Sequence, residues 1–263
     1  MTSTSSLQVH WSSPFGASAW RQDEAVITSR RLRKGHGGVE RGHYQRLSHR
    51  RMLQALVRKK RLHRLEVRTA LAFIVGPLLF AVGSALQLHP KAGYSATGLL
   101  ALGACFFTAG GAWQLQQAVV AGRVLPVGAA RWHWCGFWCA LTQSLGTVLF
   151  NVETLSAWLG PGLDASAQFW LELLPNLLGS ILFLISAAYA FLEIGHGRLV
   201  SIEPGHLGWW IAVVNGLGCV WFMQSALTPA ADADATIRAT LIGAVAFTVV
   251  GLLSLAECSE DDV

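Results

Sequence analysis

From Ala70 onward, long apolar runs alternate with short polar breaks, and the runs set the elements. Six stretches, about 70–88, 94–120, 132–152, 169–194, 207–227 and 235–256, are apolar almost throughout. Each approaches the roughly 20 residues needed to cross a 30 Å hydrocarbon core. Backbone amides in lipid must be satisfied within their own segment, so runs of this length separated by Pro- and Gly-containing loops predict helices. Upstream the pattern differs. Between Glu40 and Thr69, Tyr44, Leu47, Met52, Leu53, Leu56, Leu62 and Leu65 recur near helical spacing among many arginines and lysines, which predicts a basic amphipathic helix leading into the first span. Residues 1–39 mix Ser, Thr, Gly and scattered aromatics without a helical or alternating period and are expected to be disordered. The expected fold is all-α and polytopic. A transmembrane domain of six helices over 70–257 follows the arm, and a short acidic tail at 258–263 ends the chain.

Within the spans one spacing recurs. Every predicted helix contains Gly-x-x-x-Phe: Gly76 with Phe80, Gly103 with Phe107, Gly146 with Phe150, Gly179 with Phe183, Gly218 with Phe222 and Gly243 with Phe247. Four residues beyond each Phe stands another small or short side chain, at Ser84, Gly111, Thr154, Ala187, Ala226 and Gly251. The i, i+4, i+8 spacing keeps each set on one helix stripe. Placed at random, 12 Phe and 27 Gly would give about one such pair rather than one per helix. The glycines of alternate helices lie 70 and 72 residues apart in one set, and 76 and 64 in the other. Three tandem two-helix repeats, about 70–120, 132–194 and 207–257, are therefore predicted, each in the same orientation. The stripe is first of all a packing device, because small residues let helices approach and the Phe can fill a neighbouring groove.

The stretches GPLLFAVGSA at Gly76 and GACFFTAGGA at Gly103 resemble the paired hairpin of the bacterial YrhK-like domain family, over about residues 70–120. GTVLFNVETLSA at Gly146 and GSILFLISAAYAFLE at Gly179 are similar to segments of uncharacterised six-span bacterial membrane proteins. The resemblance implies a small multipass protein of the bacterial inner membrane. It brings no activity, cofactor or site residue with it.

Charge refines this picture. Only 13% of the residues are charged, against roughly a quarter in soluble domains, which excludes a soluble enzyme. Residues 1–69 hold 15 of the 20 Lys and Arg but only 4 of the 15 Asp and Glu. The arm together with the 121–131 and 195–206 loops carries 18 of the 20 basic residues, so both termini are predicted to be cytoplasmic. Arg58, Lys59, Lys60, Arg61 and Arg64 form the densest basic cluster, suited to anionic lipid headgroups. No nucleic-acid motif accompanies it. Trp132, Trp134, Trp158, Trp170, Trp209 and Trp210 fall near span ends, as interfacial rings do. The first apolar run starts too far in for a signal peptide, so the arm is expected to stay with the mature chain. Five cysteines, four of them in apolar stretches, predict no disulfide framework.

Ionisable and amide groups inside spans are the remaining candidates, since each is costly in lipid. On the predicted outer side, Asn151, Glu153 and Thr154 end the third span, and Glu172 and Asn176, beside Pro175, begin the fourth. Together they could line a polar vestibule, coordinate a cation or pass a proton; as packing residues they would sit at headgroup level and bridge helices. On the inner side Glu193 and Glu257 each follow a stripe glycine by fourteen residues and end near a helix C-terminus, where a carboxylate opposes the macrodipole. Each calls for a partner, such as Arg131, Arg198 or the basic helix at 50–64, in a salt bridge that ties arm to body. His133, Cys135 and Cys139 are a weak metal-ligand set, because the histidine falls on another face than the cysteines. Gln143 and Asn215 fit interhelical hydrogen bonds. There is no phosphate loop, H-E-x-x-H, G-x-S-x-G or C-x-x-C pair.

Three functions fit. The first is an accessory or structural membrane protein that binds anionic lipid or a partner, with itself or another membrane protein as the partner and no cofactor. The second is a small-solute or ion transporter or channel built on the outer Glu/Asn cluster. The third is a membrane metal or redox enzyme at His133, Cys135 and Cys139.

Overall fold

In the computed structural model the described residues are 8–13, 16–22, 25–30, 65–89, 93–122, 134–160, 162–195, 200–229 and 231–260. The basic helix expected over 40–64, with Arg58, Lys59, Lys60, Arg61 and Arg64, lies outside them, as do Arg131, His133, Arg198 and the last three residues. Six long helices make the body: α1 (Leu65–Gln87), α2 (Gly93–Gly122), α3 (Cys135–Leu159), α4 (Ala165–Ile194), α5 (Leu207–Leu227) and α6 (Ala233–Glu260). Five of them are long and apolar enough to cross a membrane; α3 is not. Its apolar character is diluted by Thr142, Gln143, Ser144, Thr147, Asn151, Glu153 and Thr154. It also runs six residues past Glu153, so that carboxylate lies inside the helix rather than at its end.

Helix α4 contains one wide turn, Phe169–Leu173, in which the Leu174 amide bonds to the Phe169 carbonyl. Pro175 explains it. A proline lacks the amide for the carbonyl four residues back and clashes with it, and an extra residue in the turn relieves the clash.

Each helix packs against its neighbours in sequence, and α6 packs against α1, so the six close a ring. Short connections favour antiparallel neighbours. On the outside, Leu78 and Val82 of α1, Leu145, Val148 and Val152 of α3, and Ile242, Val245 and Val249 of α6 are exposed at helical spacing. Apolar surface on this scale, on helices of this length, marks a membrane-embedded protein.

The ring leaves room on its axis. Neighbouring helices pack at about 8–10 Å, and in a six-membered ring the centre is about as far from each helix as the helices are from one another. The six stripe phenylalanines fill that space and all are buried. Each hairpin contributes one pair in ring contact: Phe80 with Phe107 at 5.5 Å, Phe150 with Phe183 at 5.0 Å, and Phe222 with Phe247 at 5.2 Å between centroids. Phe107, Phe183 and Phe247 also touch one another, at 5.6–6.5 Å, and form one layer. Phe222 joins Phe80 and Phe150 in a second.

The stripe glycines make this possible by bringing the helices of each hairpin together. A Cβ on Gly103 would stand 2.7 Å from the Gly76 carbonyl oxygen, and one on Gly218 would stand 2.6 Å from the Phe247 ring. The small residue further along the stripe serves the next contact. Gly111 meets Ser144 across the α2–α3 interface, and Gly251 meets Phe73 across the α6–α1 interface. That last contact follows from Pro77, which denies the Phe73 carbonyl its helical partner; α6 closes over the bared oxygen, 2.5 Å from where a Gly251 Cβ would be.

Two expectations change here. Residues 8–28 are not without regular structure: β1 (Gln8–Ser13), β2 (Gly16–Gln22) and β3 (Ala25–Thr28) form an antiparallel meander, with β2 against α3 and α4. The register slips between Val9 and Trp11 and again between Trp11 and Ser12, which hides the alternation that would reveal a strand in the sequence. Trp134 is not interfacial but buried, packed with Phe137 and Ala118.

Replacing Gly251 with Ala is expected to destabilise the protein by about 1–3 kcal/mol, because the obstacle is backbone and cannot rotate away. Thermal melts of purified protein will show it against Gly93→Ala, where an added Cβ meets nothing. Equal melting temperatures for the two variants would contradict this account of ring closure.

Candidate functional site

The phenylalanine layers divide the interior of the ring into two cavities. One opens at the end where Arg30 and Glu66 sit, and its inner wall includes Phe107 and Phe247. The other lies at the opposite end, with Phe80, Phe150 and Phe222 in its wall. We call them the arm-side and far cavities.

The far cavity has a volume of about 280 Å³. Glu153 from α3 and Asn176 from α4 meet in its wall, with Asn176 Nδ2 donating to Glu153 Oε1 at 3.0 Å. Ser180 Oγ, one turn on, reaches Asn176 Oδ1 at 3.5 Å, and Thr154, Thr236 and Thr240 add hydroxyls to an otherwise mainly apolar wall. Glu153 is the one ionisable residue among the described lining residues. Sequence reasoning brought five residues together here, and the structure keeps three of them at the cavity: Glu153, Thr154 and Asn176. Glu172 lies half-buried in the wide turn and is not part of the lining. Asn151 turns the other way. Its Nδ2 donates to Thr108 Oγ1, to Ala104 O at 3.2 Å and to Thr147 O at 3.2 Å, so it binds α3 to α2.

The arm-side cavity is smaller, about 90 Å³, and lined with carboxamides: Gln114 and Gln117 from α2, Gln143 from α3 and Asn215 from α5. Gln143 accepts from Ser186 Oγ at 3.3 Å, which in turn donates to Cys139 O at 2.8 Å. Gln114 and Gln117 are both buried, yet among the described residues Gln114 Oε1 and Gln117 Nε2 have no hydrogen-bond partner. Leaving such a group unmade costs about 1–3 kcal/mol.

The mouth of this cavity is held by the segment that follows β3. Ser29 Oγ donates to Glu193 Oε1 at 2.6 Å and accepts from the Gly136 amide at 3.0 Å. Only glycine fits there, since a Cβ at residue 136 would stand 2.5 Å from the Glu193 carboxylate. Arg30 makes a two-pronged pair with Glu257, Nε to Oε1 at 3.1 Å and Nη2 to Oε2 at 2.7 Å. Burial works against the charge on Arg30, but Glu257 in contact and Glu193 nearby outweigh it and hold the guanidinium charged even more firmly than in water. A link from arm to body through Glu193 and Glu257 was expected. The residues that supply it here are Ser29 and Arg30, whereas Arg131, Arg198 and residues 50–64 lie outside the described chain.

Cys135 and Cys139 are buried in packed surroundings; among the described residues no group of three His, Cys, Asp or Glu could hold a metal ion, and His133 is not described. Sequence reasoning missed Ser29, Arg30, Gln114 and Gln117. The glutamines did leave a signal, two amides three residues apart inside a long apolar helix. The chain matches no protein family, no curated protein and no solved structure. The likeness of residues 70–120 to the YrhK-like hairpin thus rests on those segments alone.

Arg30→Met should release the mouth, because Glu257 and Arg30 are each under one-fifth exposed and a broken buried pair costs about 3–5 kcal/mol. Maleimide labelling of Cys258, which is buried beside the cavity, is the readout, in a background where the exposed Cys105 is replaced by alanine. Labelling should rise several-fold; protection equal to the parent would mean that Arg30 does not hold the mouth.

Proposed function

We propose that this chain is a six-span membrane protein that passes a small solute along the axis of its helix ring, with the phenylalanine layers as the barrier. The observation that carries the reading is a pair of cavities on either side of one apolar plug, each with buried polar side chains set in a mainly apolar wall. A purely structural bundle has no use for polar side chains gathered in opposed chambers, and burying unpaired polar groups in lipid is costly. Three tandem two-helix repeats, each contributing one phenylalanine to either layer, account for the symmetry of the plug.

The sixth span is α3. Its polar residues turn toward the cavities and toward α2, while Leu145, Val148 and Val152 face outward, so lipid meets an apolar surface there too. The distribution of basic residues supports a location in the bacterial inner membrane with both termini cytoplasmic, which would put the arm side inward. Anionic lipid at Arg58, Lys59, Lys60, Arg61 and Arg64 would keep the arm close to the surface and near its docking site. In the far cavity Glu153 serves as the polar contact, positioned by Asn176. The accessory reading rests on the packing role of the stripe; in a closed ring that same packing is the barrier.

The test is stopped-flow flux into liposomes containing the purified protein, across a panel of monovalent cations, ammonium, glycerol and acetamide. Phe222→Ala removes the ring that touches Phe80, Phe150, Phe183 and Phe247, and should raise the flux of at least one solute about tenfold or more. Glu153→Gln should lower that flux. If neither the wild type nor Phe222→Ala conducts any of these solutes, the pathway reading fails; unchanged flux in Glu153→Gln takes that carboxylate off the path.

A further inference from the structure

The arm-side cavity contains a specific mismatch. Gln114 and Gln117 are 8% exposed and three residues apart on α2, so both point from one helix face into the same space. Among the described residues Gln114 Oε1 is left as an open acceptor and Gln117 Nε2 as an open donor. A cavity of about 10–15 Å³ already admits one water, so about 90 Å³ has room for more than a single water.

Charge narrows the choice of occupant. The ionisable side chains in the described lining are Arg30, Glu66 and the thiols of Cys139 and Cys258. Arg30 is committed to Glu257 through both prongs, and Glu66 makes an interaction of its own. Apart from these, the space is faced by carboxamide, hydroxyl and hydrocarbon. An anion would find Arg30 already paired with Glu257, and a cation would have to compete for Glu66 with the interaction it already makes, whereas a neutral molecule with both a donor and an acceptor would satisfy both open groups.

We propose that the arm-side cavity is a binding site for a small neutral amide, of the urea or short primary amide class. Its carbonyl oxygen accepts from Gln117 Nε2, and its amide N–H donates to Gln114 Oε1. The occupant's hydrocarbon end, where it has one, lies toward Phe107 and Phe247. The site itself follows from the cavity and the two glutamines; its meaning as a station on a route rests on the proposed pathway, and it then names the solute class.

Saturation-transfer NMR on the full-length protein in nanodiscs, with acetamide as probe and acetate as its charged counterpart of the same shape, separates the two claims. Acetamide should give a saturable signal, acetate none. Gln114→Met and Gln117→Met should each weaken acetamide binding about tenfold, the effect of losing one hydrogen bond to a desolvated ligand. Both variants should melt at or above the parent temperature, because each removes an unpaired buried group, and this shows that they fold. Binding with no flux of any solute in liposomes would leave the site standing and overturn the pathway, and binding with flux of other solutes but not acetamide would overturn its role as a station on the route. Flux of other solutes without acetamide binding would overturn the site alone. Equal binding of acetate, or binding unchanged in both methionine variants, would also overturn the assignment.

Discussion

Everything in this molecule depends on how a ring of six helices deals with its own centre. Helices packed side by side in a closed ring cannot all reach the axis with their backbones, and lipid does not enter to fill the gap. Large side chains must do so, and for them to meet there the helices of each hairpin must come closer than ordinary side chains permit. Gly-x-x-x-Phe solves both problems in one turn of helix: the glycine thins the contact between partners, and the phenylalanine above it reaches inward. The geometry of a T-shaped or offset aromatic pair then fixes how each ring sits on the next.

With the centre filled by hydrocarbon, polar side chains sort to the two ends or into the seams between helices. Asn151 and Ser186 lie in seams, where they bind α3 to α2 and to α4. Glu153 and the carboxamides lie at the ends. The two ends are not alike. One carries a lone carboxylate braced by an asparagine, and the other a group of carboxamides beside an ion pair from the arm.

Sequence periodicity made the stripes legible, since i, i+4, i+8 defines a face without any knowledge of neighbours. It could not say that six faces converge, because a helix stripe looks the same whether it meets one partner or an axis. Glu193 and Glu257 were readable as carboxylates in need of a partner, but Arg30 is 227 residues from Glu257, and the meander that delivers it begins with a strand pair of slipped register. Asn151 and Glu153 were grouped by closeness in sequence, although two residues on a helix differ by about 200° in direction and so face opposite ways. Neutral Gln114 and Gln117 drew no notice beside charged residues, and only a cavity wall makes their unmet bonds visible.

The seam between α1 and α6 sets an order on assembly. Each of the other contacts in the ring joins helices that follow one another in the chain, so they can form as successive hairpins leave the ribosome. The seam at Phe73 and Gly251 joins the two extremes of the body and has to wait for the final helix. Until then the phenylalanines stand along an open crescent with one side facing lipid. Closing the ring therefore carries the loop-closure cost of its longest-range contact, and Gly251 is the residue on which its geometry turns.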